Sequence, residues 1–359
     1  MKLQIILHFQ RGFFENFIEK YSKLKYTNFR GFGNNRRNGK EYSMCTAVTY
    51  KTNNHYFGRN LDLERSYGER VVITPRFYEF PMRCVSSLCE HYAMIGMATV
   101  VDGYPLYYEA TNEKGLSMAG LNFPHNADYK EYDASKDNIT PFEFVPWILA
   151  QCANVEEARA LLNKINLVNI NFSDKLPLTP LHWIISDKEC SITVESVKSG
   201  LKVYENPYGV LTNNPTFDYH VMNLNNYMGL HEGVAVNNIC PTKDLNNYSL
   251  GLGAFGLPGD FSSTSRFVRA VFVKEKSRSG SSERESVSQF FHILGAVAMP
   301  KGCVLSENGE YEYTRYSSCC NTDKGVYYYI TYDNSTITAV DMHAINLDAA
   351  DVYQFDLKE

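Results

Sequence analysis

Short bursts of β-branched and aromatic residues, set in pairs around turn residues and separated by two helical stretches, dictate the architecture open to this chain of 359 residues. Residues 46–50, the pair Asn53-Asn54 and residues 55–58 read as a hairpin. Residues 71–74 and 92–98 are further strands. Near residue 155 the period lengthens. Asn154 caps a helix, Glu157 follows three residues later, and Val155, Ala158, Leu161, Leu162 and Ile165 form one apolar face. Residues 192–197 and 201–204 flank Lys198-Ser199-Gly200 as a second hairpin. A second helical block covers 266–274, then Val287, Phe290, Phe291 and Leu294 at helical spacing. Residues 326–332, a turn at Asp333-Asn334 and residues 336–340 close the chain as a third hairpin. Hairpins alternating with helices predict an α+β fold, with antiparallel sheets carrying helices on their outer faces. No repeat or domain boundary interrupts residues 45–359, which read as one domain.

Composition supports this reading. With 26 Tyr and 21 Phe but only 21% charged residues, the chain favours β-structure and wide apolar clefts. A net charge of −5 argues against nucleic acid as a partner. No apolar run approaches the roughly 18 residues of a membrane span. The nine cysteines are odd in number and irregularly spaced, without a CxxC pair or zinc-like Cys/His cluster. That pattern fits a reducing, cytoplasmic compartment, and no metal or organic cofactor is expected.

Charge is unevenly distributed. Residues 1–44 carry nine Lys/Arg and three acids, a net of +6, against −11 for the remainder. The apolar run 3–9 is broken by Gln4 and His8 and lacks a secretory cleavage site. Residues 31–40 are Gly-, Asn- and Arg-rich, as in a linker. Two readings stand. The segment is a basic, partly helical tail, or it is an over-extended reading frame in a bacterial gene. In the second, Lys40-Glu41 is encoded by a purine run resembling a ribosome-binding site and translation begins at Met44.

Met44-Cys45 then acquires chemical meaning. Removal of an initiator Met before a small residue leaves Cys45 first, with a thiol beside a free α-amine. That amine has an ordinary pKa of about 7.7–8.0 and can serve as base for its own nucleophile. Alone, a Met-Cys dipeptide reads more readily as a buried structural cysteine. The surrounding blocks are more specific: Met44-Cys45-Thr46, Phe57-Gly58-Arg59-Asn60-Leu61-Asp62, Asn112-Glu113-Lys114-Gly115-Leu116, Ala119-Gly120-Leu121-Asn122-Phe123-Pro124, Leu211-Thr212-Asn213-Asn214-Pro215-Thr216-Phe217-Asp218, and residues 256–267, from Gly256 to Arg266-Phe267. Together, in this order, they resemble the choloylglycine hydrolases, N-terminal-nucleophile amidases that include bile salt hydrolases and penicillin V acylases.

The resemblance implies a four-layer αββα sandwich of two antiparallel sheets flanked by helices. It also implies roles. Cys45 is the nucleophile. Asp62 holds its amine or thiol by a hydrogen bond, and Arg59 favours the thiolate. The Asn122 N–H and Asn213 amide form an oxyanion hole, and Arg266 steadies developing negative charge. Leu61, Phe123 and Leu176, with Tyr67 as a looser candidate, would line an apolar cleft for a steroid body. Asn122 matches the bile salt hydrolase version, whereas penicillin V acylases resembling this group often carry Tyr there. The expected substrates are therefore glycine- and taurine-conjugated bile salts, with penicillin V or another N-acyl amide as the alternative. If residues 1–44 stay attached, the product is instead a silent precursor or a bile-acid-binding protein. The resemblance further suggests a homotetramer in which residues 224–252 project to a neighbour.

Overall fold

The structure is a computed structural model that describes residues 44–359; the reading of the basic extension concerns residues outside these. β1 (Met44–Lys51) and β2 (His55–Leu63) form the first hairpin, with Lys51 opposite His55 and Cys45 opposite Leu61. β3 (Arg70–Thr74), β4 (Met94–Val101), β5 (Tyr104–Asn112) and β6 (Ser117–Asn122) run as an antiparallel meander. A short parallel pair, β7 (Asp137–Ile139) and β8 (Ile165–Leu167), brackets helices α1 (Phe144–Gln151) and α2 (Val155–Leu162). Then come β9 (Leu181–Ser186), β10 (Ser191–Val197), β11 (Gly200–Glu205), β12 (Val210–Leu211) and α3 (Phe217–Leu224). Helices α4 (Ser263–Lys276) and α5 (Glu283–Gly295) precede β13 (Val304–Leu305), β14 (Tyr311–Asn321), β15 (Val326–Thr331), β16 (Thr338–Asp341) and β17 (Tyr353–Asp356).

The strands make two large antiparallel sheets. One runs β12-β1-β2-β14-β15-β16, with β13 added beside β14; the other runs β11-β10-β9-β6-β5-β4-β3-β17. Their faces meet where β1 packs on β6 and β2 on β5 and β6. The two-residue period of a strand explains the layering. In the eight-stranded sheet Val71, Ile73, Ile95, Met97, Ala119, Leu121 and Ile184 share a core with Ala47, Phe57 and Leu61 of the other sheet. The intervening Val72, Met94, Ala98, Met118, Trp183 and Ile185 point the other way, onto Phe144, Ile148, Val155 and Ala158 of α1 and α2. On the far side, Phe267, Ala270, Val287, Phe290 and Leu294 of α4 and α5 cover the seven-stranded sheet. The order is helices, sheet, sheet, helices, as the sequence predicts. No described helix is long and apolar enough to cross a membrane.

Local signals hold in the main, but the strand expected over 92–98 begins at Met94, and β17 follows the hairpin expected to close the chain. Asn154 accepts the Glu157 N–H at 2.9 Å, and the Glu157 carboxylate accepts the Ala153 N–H at 2.7 Å. The apolar face ends earlier than its periodicity implies. α2 stops at Leu162, and Ile165 belongs to β8, because the chain there turns to run beside β7.

Candidate active site

The hairpin places its residues by alternation. Cys45 and Ala47, with their partners Leu61 and Arg59, share one face. That face meets the eight-stranded sheet, and Arg59 Nη1 donates across the gap to the carbonyls of Tyr108 (3.0 Å) and Gly120 (2.6 Å). Met44 and Thr46, with their partners Asp62 and Asn60, share the other face. Here α4 supplies Arg266, whose Nη1 donates to the Thr46 hydroxyl at 2.7 Å and to the Cys45 carbonyl. One fully buried guanidinium therefore lies on each side of the strand that carries Cys45.

Asn213 follows β12 and ties these parts together. Its Oδ1 accepts the Cys45 N–H at 2.8 Å and Arg266 Nη2 at 2.7 Å, while its Nδ2 donates to the Asn122 carbonyl at 2.8 Å. Its backbone is held as firmly. The Asn213 N–H donates to Ser263 Oγ at 2.8 Å, His220 Nε2 donates to the Asn213 carbonyl at 2.9 Å, and His182 Nε2 donates to the neighbouring Thr212 carbonyl at 2.8 Å. Hydrogen bonds thus join Cys45, Asn122, Asn213 and Arg266, and Arg59 and Asp62 lie near enough for their charges to act on the Cys45 thiol.

Burial sets the electrostatics. It raises the Cys45 thiol pKa; Arg59 opposes this, Asp62 adds to it, and the Asp62 backbone N–H and Arg266 oppose it. The balance favours the protonated thiol. Burial also lifts Asp62 to about 6 against the pull of Arg266, the Thr314 hydrogen bond and Arg59. Asp62 Oδ1 accepts the Thr314 hydroxyl at 2.6 Å, whereas the buried Oδ2 has no hydrogen-bond partner among the described residues. For Arg59, burial works against the charge, but Cys45, Tyr316, Glu109 and Asp62 more than offset it.

Two acids absent from the sequence reading belong here. Glu109 on β5 lies 3.8 Å from Arg59 Nε and accepts hydroxyls from Tyr316 (2.8 Å), Ser318 (2.9 Å) and Tyr327 (2.5 Å). Glu312 on β14 is buried close to Asp62 and Glu64 and accepts the Met44 N–H. Both interrupt strands otherwise rich in tyrosine, a signal that alternation carries only once the buried phase is known.

The cleft candidates separate. Leu61 and Cys45 share one apolar cluster and Tyr67 packs against it. Phe123 is fully buried and stacks on His182 at 4.2 Å, so its ring serves the core behind the Asn pair. Leu176 lies half-buried in a loop, bridged to Ser173, and in neither main apolar cluster. No group of three His, Cys, Asp or Glu residues suited to a metal ion gathers among the described residues.

A buried thiol between two guanidiniums, amide donors and a carboxylate with an open acceptor suits acyl transfer. Comparisons with known proteins agree. Residues 45–355 match the family described as linear amide C–N hydrolases, choloylglycine hydrolase family. The chain is 57% identical over 315 residues to the bile salt hydrolase/transferase of Lactiplantibacillus plantarum, covering 88% of this chain and 97% of that protein. It is 40% identical over 318 residues to the protein of the same name from Clostridium perfringens, covering 86% and 95%. A crystal structure of a mutant conjugated bile acid hydrolase from C. perfringens superimposes with a TM-score of 0.80 at 39% identity, covering 88% of this chain and 97% of that one. A penicillin V acylase from Agrobacterium tumefaciens, at 20% identity and a TM-score of 0.68 over 87% and 91%, shares the fold. On this match the chain belongs to the choloylglycine hydrolase family and is a linear amide C–N hydrolase with the layered fold of N-terminal-nucleophile enzymes.

Proposed function

We propose that the enzyme hydrolyses glycine- and taurine-conjugated bile salts, using Cys45 as an N-terminal nucleophile. The observation that carries this reading is the open Oδ2 acceptor of buried Asp62 beside the start of Cys45, whose nitrogen is already held by Asn213. An acceptor of this kind suits a free α-ammonium. The family match begins at residue 45, which supports Cys45 as the first residue of the working polypeptide.

The chemistry then follows. The Cys45 α-amine takes the thiol proton and the sulfur attacks the amide carbonyl. The Asn122 N–H and Asn213 amide receive the oxyanion, each donor lowering the barrier by roughly 2.7–4 kcal/mol. The ammonium returns its proton to the leaving glycine or taurine nitrogen. Water, activated by the same amine, then cleaves the thioester and releases the bile acid. Two relatives are named bile salt hydrolase/transferase, which fits this course, because a thioester can also pass its acyl group to an amine.

Nine cysteines without a disulfide suit the cytoplasm. The segment after α3 exposes Met228 (80%), Ile239 (88%) and Leu250 (89%), which favours burial against further copies in a homotetramer.

The test joins intact mass and N-terminal sequencing of active protein to specificity constants for conjugated bile salts and penicillin V. We expect a sequence beginning at Cys45 and faster release of glycine or taurine than of phenoxyacetate. Cys45→Ala should lower kcat by at least about 10⁴-fold. Brisk hydrolysis by protein that still begins at Met1, or a larger specificity constant for penicillin V, overturns the proposal.

A further inference from the structure

Two buried carboxylates lie at the Met44 end of β1: Asp62, which the family resemblance assigns, and Glu312, which it does not. Glu312 lies on β14 two residues before Thr314, the residue that bonds Asp62 Oδ1. Thr314 stands opposite Asp62, and Asp62 stands opposite Met44. Alternation therefore puts Glu312, Thr314, Asp62 and Met44 on the same face of the sheet. The contacts agree, since the Met44 N–H, one residue upstream of the Cys45 nitrogen, bonds the Glu312 carboxylate.

Glu312 is 1% exposed, and its Oε1, like Asp62 Oδ2, is buried with no hydrogen-bond partner among the described residues. Burying an unpaired carboxylate is costly, and two beside each other repel. The groups facing Glu312 are Asp62 and Glu64 from β2 and its continuation, Arg266 from α4, and the Met44 N–H from β1. Arg266 is the only cation of this set and is already bonded to Thr46, Asn213 and the Cys45 carbonyl. Two open acceptors with one committed cation leave a place for a second positive charge.

We infer that Glu312 is a positioning residue for catalysis: together with Asp62 it flanks the free α-amine of Cys45 and sets the pH at which that amine becomes a base. The inference rests on Cys45 being N-terminal, as proposed above. Loss of Met44 removes the N–H that Glu312 bonds and creates an ammonium one residue further along the same strand. The carboxylate then stabilises the protonated amine and delays its release as a base. With Met44 attached, Arg266 is the cation that acts on Glu312 among the described residues, and burial with the neighbouring acids holds its carboxyl up to about 8.

The test compares the pH dependence of kcat/KM for a glycine-conjugated bile salt in wild type, Glu312→Gln and Glu312→Asp. Each sample is sequenced from its N-terminus. Gln keeps the shape and removes the charge, so the acid-side limb should move to lower pH by about one unit. Asp should restore most of the wild-type position. The pH dependence of Cys45 alkylation by iodoacetamide gives a second reading that does not require turnover, and it should move in the same direction. A Glu312→Gln limb that stays in place or moves to higher pH, in protein beginning at Cys45, overturns the inference and leaves the nucleophile assignment standing. Active wild type that begins upstream of Cys45 is seen in the sequencing alone and overturns both.

Discussion

Arg59 shows how much of the site is geometry rather than charge. Its guanidinium spans the gap between the sheets and bonds two carbonyls, one of them Gly120, two residues before Asn122. Lysine keeps the charge but not the planar fork. Arg59→Lys should therefore lower kcat/KM by about 10²-fold, the scale expected when reacting groups are displaced by roughly 1 Å. Wild-type kinetics in this variant would reduce the role of Arg59 to its charge. Arg59, Asp62, Asn122, Asn213 and Arg266 could be named as candidates from the sequence because each sits in one of the blocks that, taken in order, resemble the family. Glu109 and Glu312 could not. Glu109 meets Tyr316 and Tyr327 across 207 and 218 residues of sequence, and nothing local to a Tyr-Tyr-Glu-Ala run says that its acid faces inward.

Elements were legible where a turn or cap marks them. The hairpins around Asn53-Asn54 and Lys198-Ser199 and the Asn154 cap depend on residues adjacent in sequence, and they form as expected. The long β14 was not expected. It pairs with β2, a partner some 250 residues earlier, and long-range pairing leaves little trace in local composition. The same pairing explains Gly58. A Cβ at that position would lie 2.0 Å from the Ser318 carbonyl oxygen and 2.9 Å from Cys319 Cα, both backbone atoms of β14. Backbone cannot rotate aside as a side chain can, so Gly58→Ala must push β2 from β14 and disturb the Arg59 N–H bond to Ser318 Oγ. The expected cost is about 3 kcal/mol. A fall in Tm of roughly 5–10 °C, read by thermal denaturation, corresponds to it. An unchanged Tm would show that the two strands tolerate more separation than this packing allows.

Across the whole molecule, burial of polar groups makes stability depend on pH, and His55 gives the clearest sign. It begins β2 at the hairpin turn and is tied to the β14–β15 turn, where its carbonyl accepts the Thr322 N–H at 3.0 Å and its Nδ1 meets the Thr322 hydroxyl at 2.9 Å. Burial lowers its pKa to about 4, with Asp323 and Asp187 opposing and Lys51 and Lys274 assisting. The unfolded chain binds the proton near pH 6.5, well before the folded one does. The stability contributed by neutral His55 is therefore complete above pH 6.5 and is lost as pH falls toward 4, by up to about 3 kcal/mol. Asp62 and Glu312 act in the opposite sense. Their raised values mean that native stability is lost as pH rises, through about 6 for Asp62 and about 8 for Glu312, while no ammonium faces them. A single acid titration mixes these opposing contributions, whereas a comparison of variants separates them. His55→Gln removes only the histidine part. Whatever it costs at pH 7.5, its stability relative to wild type should improve by up to about 3 kcal/mol at pH 4, measured by urea denaturation at both values. A gap between the two proteins that does not change with pH would mean that His55 is protonated in the folded state, with the acids at positions 187 and 323 outweighing its burial.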